Sequence, residues 1–483
     1  GLAVKKLMHH AVDPKWGLGL PSPFHPDNPY KTNIEAGLAY LFNHGYPIPI
    51  SPQPAGDPDS NGNGFGVVFE SPDSGVWHRT YTSGIALMAI CETVELDREV
   101  GGTGPLAGMT YEEVARDLMD YLAFGQDESQ RGAWGYYENY GWADNSNTGY
   151  VTLGLAFAEA TTSPPIGCGF TVPQFVKDEL NIWIDYIQND AGPGPYDPWC
   201  DTTGTDDCDG GSGYAQSELW VNTLKTGSLL QQMAFFGDTV ATPRVQDALD
   251  YLHRHWNDQD QDPGWKGWLE LGSSNYQATF TIMKGMNAFG LETFGDPPID
   301  WATDFETELL AEQMEDGLWP YCNWGDPVLC TTWALLTLQR AAVGPRPVPV
   351  DVKPQSCRNP IYAGAKGVLP VAILGTEDFD VTQVDPASIK LEGVSPIRWA
   401  LEDVGTPYEP YVGKPLDPYA CNALWGDGYT DLTFKFDNLE VVAALDPDPV
   451  DGEVRILKLT GNLKEEFNGK PIMGEDVVVI ILK

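Results

Sequence analysis

The sequence predicts a multidomain protein of α plus β class, in which an α/α toroid, a ring of helical hairpins, precedes a small β-sandwich. Three observations predict this fold. Amphipathic segments alternate with segments that are apolar on most sides, the alternation recurs about every 60 residues, and a Pro-rich stretch then separates it from segments of period two. Because 483 residues exceed what one core of ordinary size accommodates, we expect more than one domain.

The first member of each repeating pair is amphipathic, and we predict it to be an outer helix. In the fourth pair Val245, Leu249 and Leu252 share one face, as the helical period requires. The five predicted outer helices cover residues 31–44, 112–125, 174–189, 243–256 and 301–314.

The second member of each pair is apolar nearly all round, and a helix of that kind must be buried. Links rich in Gly and Trp, such as Gly132-Ala133-Trp134-Gly135, join the two members. The five predicted inner helices cover residues 80–92, 146–160, 217–236, 274–290 and 326–341. Two concentric layers follow, with five to six hairpins, the sixth supplied by irregular flanking segments.

The sequence divides into four regions along the chain. We expect an N-terminal arm over 1–30, the toroid over 31–342, a Pro-rich linker over 343–350 and the β-sandwich domain over 351–483. Alternating apolar residues predict strands in the last region at 367–374, 431–436, 454–459 and 477–482.

Two motifs carry a resemblance to a known superfamily. Residues 144–150, Asp-Asn-Ser-Asn-Thr-Gly-Tyr, lead into an inner helix, and residues 316–321, Asp-Gly-Leu-Trp-Pro-Tyr, lead towards the next one at 331–336. Both are similar to repeats of the prenyltransferase and squalene-cyclase superfamily. The resemblance covers roughly residues 30 to 342 and implies the toroid, and it implies much less about activity.

The β-region resembles an accessory domain found at the C-termini of many secreted microbial proteins. Residues 351–354 and 368–375 carry this resemblance. It implies an extracellular setting and no particular activity.

The charge balance limits the classes of partner. The chain has 28 Lys plus Arg against 69 Asp plus Glu, a net charge of −41. Phosphate binding needs a basic surface, so nucleic acid and anionic membranes are not expected as partners. Bound calcium, a saline exterior and simple solubility would each explain the acidity.

The eight cysteines favour an oxidising compartment. Their spacings are not those of metal knuckles and fit four disulfides. The expected pairs are Cys200 with Cys208, Cys322 with Cys330, Cys357 with Cys421, and the remaining Cys91 with Cys168. We therefore expect a secreted, extracellular or cell-surface protein, with Gly1 as a processed N-terminus and no membrane insertion.

The catalytic motifs of toroid enzymes are not found in this sequence. The Asp-x-Asp-Asp acid of terpenoid cyclases and the Cys-Gly-Glu-Gln thioester motif do not occur. The zinc ligands of prenyltransferases are not matched either, because His253 and His255 lie two apart on a helix and face different directions. A terpenoid cyclase or prenyltransferase relative is thus the third hypothesis.

Glycan cleavage is the alternative that the residues leave open, because it needs two carboxylates and aromatic platforms. Trp134, Trp142, Trp220 and Trp268 lie near acidic residues in the links. The same tryptophans would also serve as packing wedges between hairpins. The candidate catalytic carboxylates are Glu138, Asp144, Glu218 and Glu270.

Three acidic clusters are candidate calcium sites, because close carboxylates are stabilised by a shared hard cation. The first alternates along one link, the second lies in the Cys200–Cys208 loop, and the third follows a Gly-rich turn of the β-domain. Their members are Asp258, Asp260 and Asp262, then Asp201, Asp206, Asp207 and Asp209, and then Asp427 and Asp431.

The leading hypothesis from the sequence is a secreted, non-catalytic structural or binding protein of a microbial surface or extracellular matrix. We expect calcium as a structural cofactor. The expected partners of the protein are surface glycans or further copies of the same chain. The apolar strand at 477–482 would be available for self-assembly. A secreted glycan-degrading enzyme, with paired carboxylates at the mouth of the toroid, is the alternative.

Overall fold

The structure is a computed structural model. It describes residues 1–13, 17–71, 77–127, 132–160, 167–189, 208–258, 267–270, 273–320, 322, 327–340, 345–377, 379–412, 414–445, 450–464 and 471–482. The chain divides into two compact units, Gly1–Gly344 and Pro345–Lys483, and each is described by itself.

The inner layer of the first unit is a closed ring of helices. Each member packs against the next one, and α1 packs against both α11 and α3, so the ring closes on itself. Within the described ranges its six members are α1 (Leu2–Val12), α3 (Arg79–Cys91), α5 (Asn145–Glu159), α7 (Thr223–Phe236), α9 (Tyr276–Phe289) and α11 (Pro327–Leu338). The unit is therefore a helical toroid.

Outer helices pack against this ring, each on an inner helix next to it along the chain. They are α2 (Lys31–Asn43), α4 (Tyr111–Phe124), α6 (Gln174–Ile187), α8 (Pro243–Arg254) and α10 (Trp301–Glu312). Helix α4 begins with a capping box, in which Thr110 and Glu113 satisfy each other's backbone N–H groups. The alternation of amphipathic and apolar helices is the one that the sequence predicts.

The start of the chain differs from the sequence prediction. Residues 1–30 were expected to be an arm, yet α1 is the sixth inner helix, with Met8 and Ala11 fully buried. Its Lys5 is also buried and lies 3.6 Å from the carboxylate of Glu92, at the end of α3. Because this charge is neutralised inside the protein, a segment that looks polar in sequence can occupy the inner layer.

Glycines allow the inner helices to approach each other backbone to backbone. A Cβ atom on Gly84 would lie 2.5 Å from the carbonyl oxygen of Tyr150, and one on Gly227 would lie 2.6 Å from the amide nitrogen of Ile282. Both distances are too short for a side chain, so these positions of α3 and α7 require glycine.

The recurring link tryptophans join the two layers. The indole N–H of Trp134 donates to the carbonyl of Leu122 at 2.8 Å, and that of Trp319 donates to the carbonyl of Leu309 at 2.8 Å. Both rings are buried, and so is that of Trp268, which packs against Trp256 and Phe305. These three residues, which we call the link tryptophans, are packing elements of the repeat.

A β-hairpin lies between α2 and α3, where the sequence predicts no structure. Strands β1 (Gly45–Pro49) and β2 (Phe65–Phe69) pair antiparallel, and β2 packs against α4. A second short hairpin consists of β3 (Leu269–Glu270) and β4 (Ser273–Ser274).

The second unit contains two sheets and a short helix, α12 (Asn438–Ala443). One sheet has the order β10 (Arg398–Glu402), β11 (Asp431–Asp437), β8 (Val368–Ile373) and β6 (Val350–Val352). The other has the order β5 (Arg346–Pro347), β13 (Pro471–Ile481), β12 (Val454–Asn462) and β9 (Lys390–Leu391), and β7 (Pro360–Tyr362) also pairs with β13. Leu369 and Phe434 from the first sheet share one core with Leu457 and Val478 from the second.

The Pro-rich stretch does not act only as a linker. Its Arg346 and Pro347 pair in parallel with β13, and the N–H of Val348 donates to the carbonyl of Met473 at 2.8 Å. Val348 is fully buried. An apolar side chain and a satisfied backbone therefore anchor this stretch in the second unit.

Three disulfides join described cysteines, in the pairs that the sequence spacing favours. They are Cys91–Cys168, Cys322–Cys330 and Cys357–Cys421. Cys208 is also disulfide-bonded, and Cys200 lies outside the described residues. None of the described helices combines the length and the apolar character needed to cross a bilayer.

Candidate functional site

Aromatic side chains gather at the N-terminal ends of the inner helices. The links that precede α3, α5 and α7 meet there, because the N–H of Thr80 donates to the carbonyl of Tyr136 and the N–H of Asn145 donates to that of Tyr214. We call the cluster on these links the aromatic mouth. Its members are Trp77, Tyr136, Tyr137, Tyr140, Trp142, Tyr214 and Trp220.

The rings of the aromatic mouth touch one another across the three links. Trp77 lies 5.7 Å from both Tyr137 and Tyr140, measured between ring centres. Tyr136 stacks on Trp142 with an angle of 11° between the rings, and its hydroxyl lies 3.2 Å from that of Tyr214. The result is a continuous aromatic surface that also carries phenol hydroxyls.

This surface is exposed, unlike the link tryptophans. The exposed fraction is 50% for Trp77, 38% for Trp142 and 48% for Trp220. Clustered apolar groups that remain in water mark interaction sites more often than isolated ones do. The mouth is therefore the leading candidate for ligand binding in the first unit.

The backbone of the mouth is strained. His78, Asn139 and Trp220 have φ values of 89°, 52° and 53°, in the left-handed region that side chains other than glycine disfavour. Such strain persists where the surrounding structure fixes it. Positive φ also occurs away from the mouth, as at Val94 and Arg340, so the assignment of the site depends on the exposed aromatic rings.

Asp144 connects the mouth to helix α5. It is fully buried, caps the helix by accepting the N–H of Asn147 at 2.9 Å, and also accepts a hydrogen bond from Tyr214. Burial raises the pKa of Asp144 to about 6, against the opposing effect of these hydrogen bonds. Asp144 is thus a carboxyl group that can carry a proton near neutral pH.

Glu138 is held in a network of charges and hydroxyls. Its carboxylate accepts from Arg79 at 2.9 Å and from the hydroxyl of Tyr121 at 2.9 Å. Arg79 in turn contacts Glu70 at 3.0 Å and the hydroxyl of Tyr46 at 2.6 Å. These contacts make Glu138 a structural residue that orients the link, rather than a free catalytic group.

The other two candidate carboxylates, Glu218 and Glu270, make fewer described contacts than Asp144 and Glu138. Glu218 is half-buried on the link between Tyr214 and Trp220, and it accepts a hydrogen bond from the hydroxyl of Ser217 at 2.9 Å. Glu270 belongs to β3, and its side chain lies outside the described part of the structure. Asp144 and Glu218 are therefore the carboxylates whose surroundings include the mouth.

A row of rings leads from the mouth into the toroid. His78 lies 5.5 Å from Tyr136 and 5.0 Å from Tyr81, and Tyr81 lies 6.1 Å from Tyr150. Beyond Tyr150 the amine of Lys284 is fully buried, 5.3 Å from the ring centre of Tyr150. Burial alone lowers the pKa of Lys284 to about 7.

The predicted calcium ligands are only partly described. Asp201, Asp206, Asp207, Asp260 and Asp262 lie outside the described residues. Asp258 lies 2.7 Å from a ring nitrogen of His255, and His255 is buried at the end of α8. Asp209, of the other cluster, is exposed. Calcium at these two clusters stays a prediction.

The pair in the second unit has a visible structural function. Asp431 is fully buried and accepts the backbone N–H groups of Gly375, Val404 and Gly405, while Asp427 is exposed and accepts the N–H of Tyr429. No group of three His, Cys, Asp or Glu residues forms a metal site among the described side chains.

Sequence reasoning identified Trp142, Trp220 and Asp144 as members of a possible site and missed Trp77, Tyr136 and Tyr214. A distinguishing signal is present in the links. The exposed tryptophans Trp77, Trp142 and Trp220 lie two or three residues before the next inner helix, whereas the link tryptophans lie 8 to 11 residues before it. Distance along the link therefore separates the packing tryptophans from the exposed ones.

Comparison with known proteins gives weak likenesses. No family model matches the sequence, and no curated protein matches it. A glycoside hydrolase family 76 mannosidase from Bacteroides thetaiotaomicron has 11% identity and a TM-score of 0.39, over 71% of this chain and 84% of that one. The α2-macroglobulin of Escherichia coli, from domain MG7 to its C-terminus, has 9% identity and a TM-score of 0.27, over 90% of this chain and 81% of that one.

Proposed function

We propose that this is a secreted glycan-binding protein whose aromatic mouth holds a saccharide. One observation carries the proposal: exposed aromatic faces and phenol hydroxyls form a continuous surface at one end of the toroid. The C–H face of a pyranose ring is apolar, and its edge carries hydroxyl groups. Flat apolar rings with a few convergent polar groups fit both features.

Binding can be measured with the full chain on a panel of neutral and acidic oligosaccharides, by calorimetry and tryptophan fluorescence. We expect Trp142→Ala and Trp220→Ala to weaken binding at least about tenfold, since each removes a face from the surface. Trp425→Ala is the matched control, because Trp425 is 73% exposed but belongs to the second unit. Unchanged binding in both mouth variants would reject the proposal.

Glycan cleavage is the second candidate function, and the raised pKa of Asp144 is the observation in its favour. Asp144 is buried and its carboxylate accepts from Asn147, so this function requires the link to move and expose the carboxyl group to the sugar. A carboxyl group with a pKa near 6 suits a general acid that protonates the leaving oxygen of a glycoside. Glu218, on the link between Tyr214 and Trp220, is the second carboxylate, which would activate water or attack the sugar. The net reaction is hydrolysis, in which water supplies a hydroxyl group to one product and a proton to the other.

Asp144→Asn separates cleavage from binding. Asparagine keeps the cap bond from the N–H of Asn147, loses the acceptor for the side-chain amide of Asn147 and cannot donate an acidic proton. We therefore expect saccharide binding to persist and hydrolysis to fall about 100-fold or more. Glu218→Gln should lower the rate to a comparable degree. Binding without turnover in the unchanged protein would favour the non-catalytic hypothesis, and equal turnover in all three proteins would exclude these two carboxylates.

Extracellular location is part of the proposal. The disulfides support it, because they persist in oxidising compartments. The strand at 477–482, expected to be available for self-assembly, is not a free edge, because β13 pairs with β12 on one side and with β7 on the other. Sedimentation of the purified chain at several concentrations tests self-association through other surfaces.

A further inference from the structure

Strand β10 lies at the edge of its sheet and, among the described strands, has a neighbour on one side only, β11. It is five residues long with every side chain exposed, whereas the strands at the other sheet ends, β5, β6 and β9, have two or three residues. Among the described residues, only those of β11 form hydrogen bonds with the backbone of residues 398–402. Such an edge presents unpaired N–H and C=O groups to solvent.

The core side of β10 carries apolar side chains that the core does not cover. Residues directly opposite each other on neighbouring strands share a face of the sheet. Trp399 is opposite Phe434, a buried residue of the core, and Leu401 is opposite Leu432, which is another. Trp399 is nevertheless 50% exposed and Leu401 is 54% exposed. The core face of this sheet therefore continues at its edge as an exposed apolar surface.

The other face of β10 carries two charges that β11 does not neutralise. Arg398 is opposite Lys435. Glu402 is opposite Asp431 and accepts a hydrogen bond from the hydroxyl of Thr433 at 3.1 Å. Both cross-strand pairs join groups of like charge, and such pairs are destabilising. Opposite charges on a further strand beside β10 would therefore be favourable.

The sequence of β10, Arg-Trp-Ala-Leu-Glu, is complementary to itself about its central residue. When two copies of the strand run antiparallel with Ala400 opposite Ala400, Arg398 of each copy is opposite Glu402 of the other. The same register places Trp399 of each copy opposite Leu401 of the other. A two-fold axis relates the two halves, as in interfaces in which both subunits use the same surface.

We propose that two copies of the chain associate through antiparallel pairing of their β10 strands. A second copy is the partner because it supplies the charges that β10 lacks on β11, in the register that also pairs the exposed apolar side chains. The two four-stranded sheets join edge to edge, and the exposed backbone groups of both edges are paired. Because each copy has one such strand in its described part, assembly stops at two.

Sedimentation of the full chain over a wide range of concentrations tests the pairing. A single five-residue strand makes a small interface, so we expect a dimer that dissociates on dilution, with no larger species. Tryptophan fluorescence should change over the same range of concentrations, because Trp399 becomes covered in the dimer.

Arg398→Glu and Glu402→Arg make the test specific to this register. The two-fold axis places each residue in the interface twice, so either substitution turns both attractive pairs into repulsive ones. We expect each variant alone to weaken dimer formation about tenfold or more. Neither should impair folding, because each new charge is opposite in sign to the residue that it faces on β11.

An equimolar mixture of the two variants should form the dimer again, because opposite charges then face each other across a mixed pair. Lys366→Glu is the control, since Lys366 is exposed in the same unit and does not belong to β10. It should dimerise like the unchanged protein.

Three results would each overturn the pairing. The unchanged chain could stay monomeric at every concentration, which would leave β10 as an edge for a different protein. Both β10 variants could dimerise as the unchanged chain does, which would place the interface elsewhere. The mixture could stay as monomeric as its components, which would exclude the register centred on Ala400.

Discussion

The link tryptophans and the tryptophans of the mouth belong to the same repeats and have opposite surroundings. Trp134 and Trp319 are buried, with each indole N–H bonded to an outer helix. Trp142 and Trp220 lie on the same type of link and are exposed. Burial therefore separates the tryptophans that build the toroid from those that can bind a ligand.

The largest effect should come from removing a link tryptophan. We expect Trp134→Ala to lower the free energy of unfolding of the toroid by about 3–5 kcal/mol, because a large cavity opens and the carbonyl of Leu122 loses its donor. Urea unfolding followed by circular dichroism measures it. A loss below about 1 kcal/mol would mean that the link is not the packing wedge described above.

Lys284 tests how far the packed interior extends beneath the mouth. Its pKa of about 7 lies below that of an unfolded lysine, so the folded state binds fewer protons between about pH 7 and 10.5 and stability should rise with pH across that window. The free-energy cost of burying the charged amine of Lys284 is fully present below pH 7. We expect Lys284→Met to be more stable than the unchanged protein by a few kcal/mol at pH 6, at about 1.4 kcal/mol per pKa unit.

That difference should shrink steadily as the pH rises towards 10 and vanish only above about pH 10.5, where the amine is neutral in both states. Thermal melts of the two proteins from pH 6 to pH 10 measure this change. Lys31→Met, at the half-buried first position of α2, is the control for loss of a lysine. A constant difference across this range would contradict burial of the amine in apolar surroundings.

Glycine contacts between inner helices should give the next effect. We expect Gly227→Ala to cost about 1–3 kcal/mol, because the new methyl group meets the backbone of α9, which cannot yield as a side chain can. Gly101→Ala is the matched control, because nothing lies within 4 Å of the new Cβ. Equal stability of the two variants would show that the helices of the ring do not approach so closely.

The smallest effect on stability should come from the mouth. Trp142→Ala is expected to lower the free energy of unfolding by only about 1 kcal/mol, because its ring is 38% exposed and loses less packing than Trp134. The same variant should lose saccharide binding. The two variants should therefore have opposite effects. Trp134→Ala should lower the stability of the toroid, and Trp142→Ala should lower the affinity for saccharide.

The sequence contains much of the toroid because its periodicity is local. The helix α8, for example, follows from the spacing of Val245, Leu249 and Leu252, and its observed range agrees with that spacing. Helix α1 was not predicted, although Val4, Met8 and Ala11 share a buried face at helical spacing. The spacing does not reveal that Lys5 is buried too, because Lys5 contacts Glu92, a residue distant in sequence.

The functional site follows the same distinction. Trp142 and Asp144 are close in sequence, but Tyr136 and Tyr214 meet only because the links before α5 and α7 lie side by side in the folded chain. Local spacing thus identifies part of a site, and tertiary structure identifies the rest.

Closure of the ring has a consequence for biosynthesis. Gln339 donates to Asp13 at 2.7 Å, a hydrogen bond between residues 326 positions apart, where α11 meets α1. An open array of repeats can fold progressively as each repeat leaves the ribosome. This ring closes only after its last helix, α11, has been synthesised. Helix α1 therefore lacks one of its two neighbours while most of the unit is translated. A chaperone would have the longest time to bind at α1.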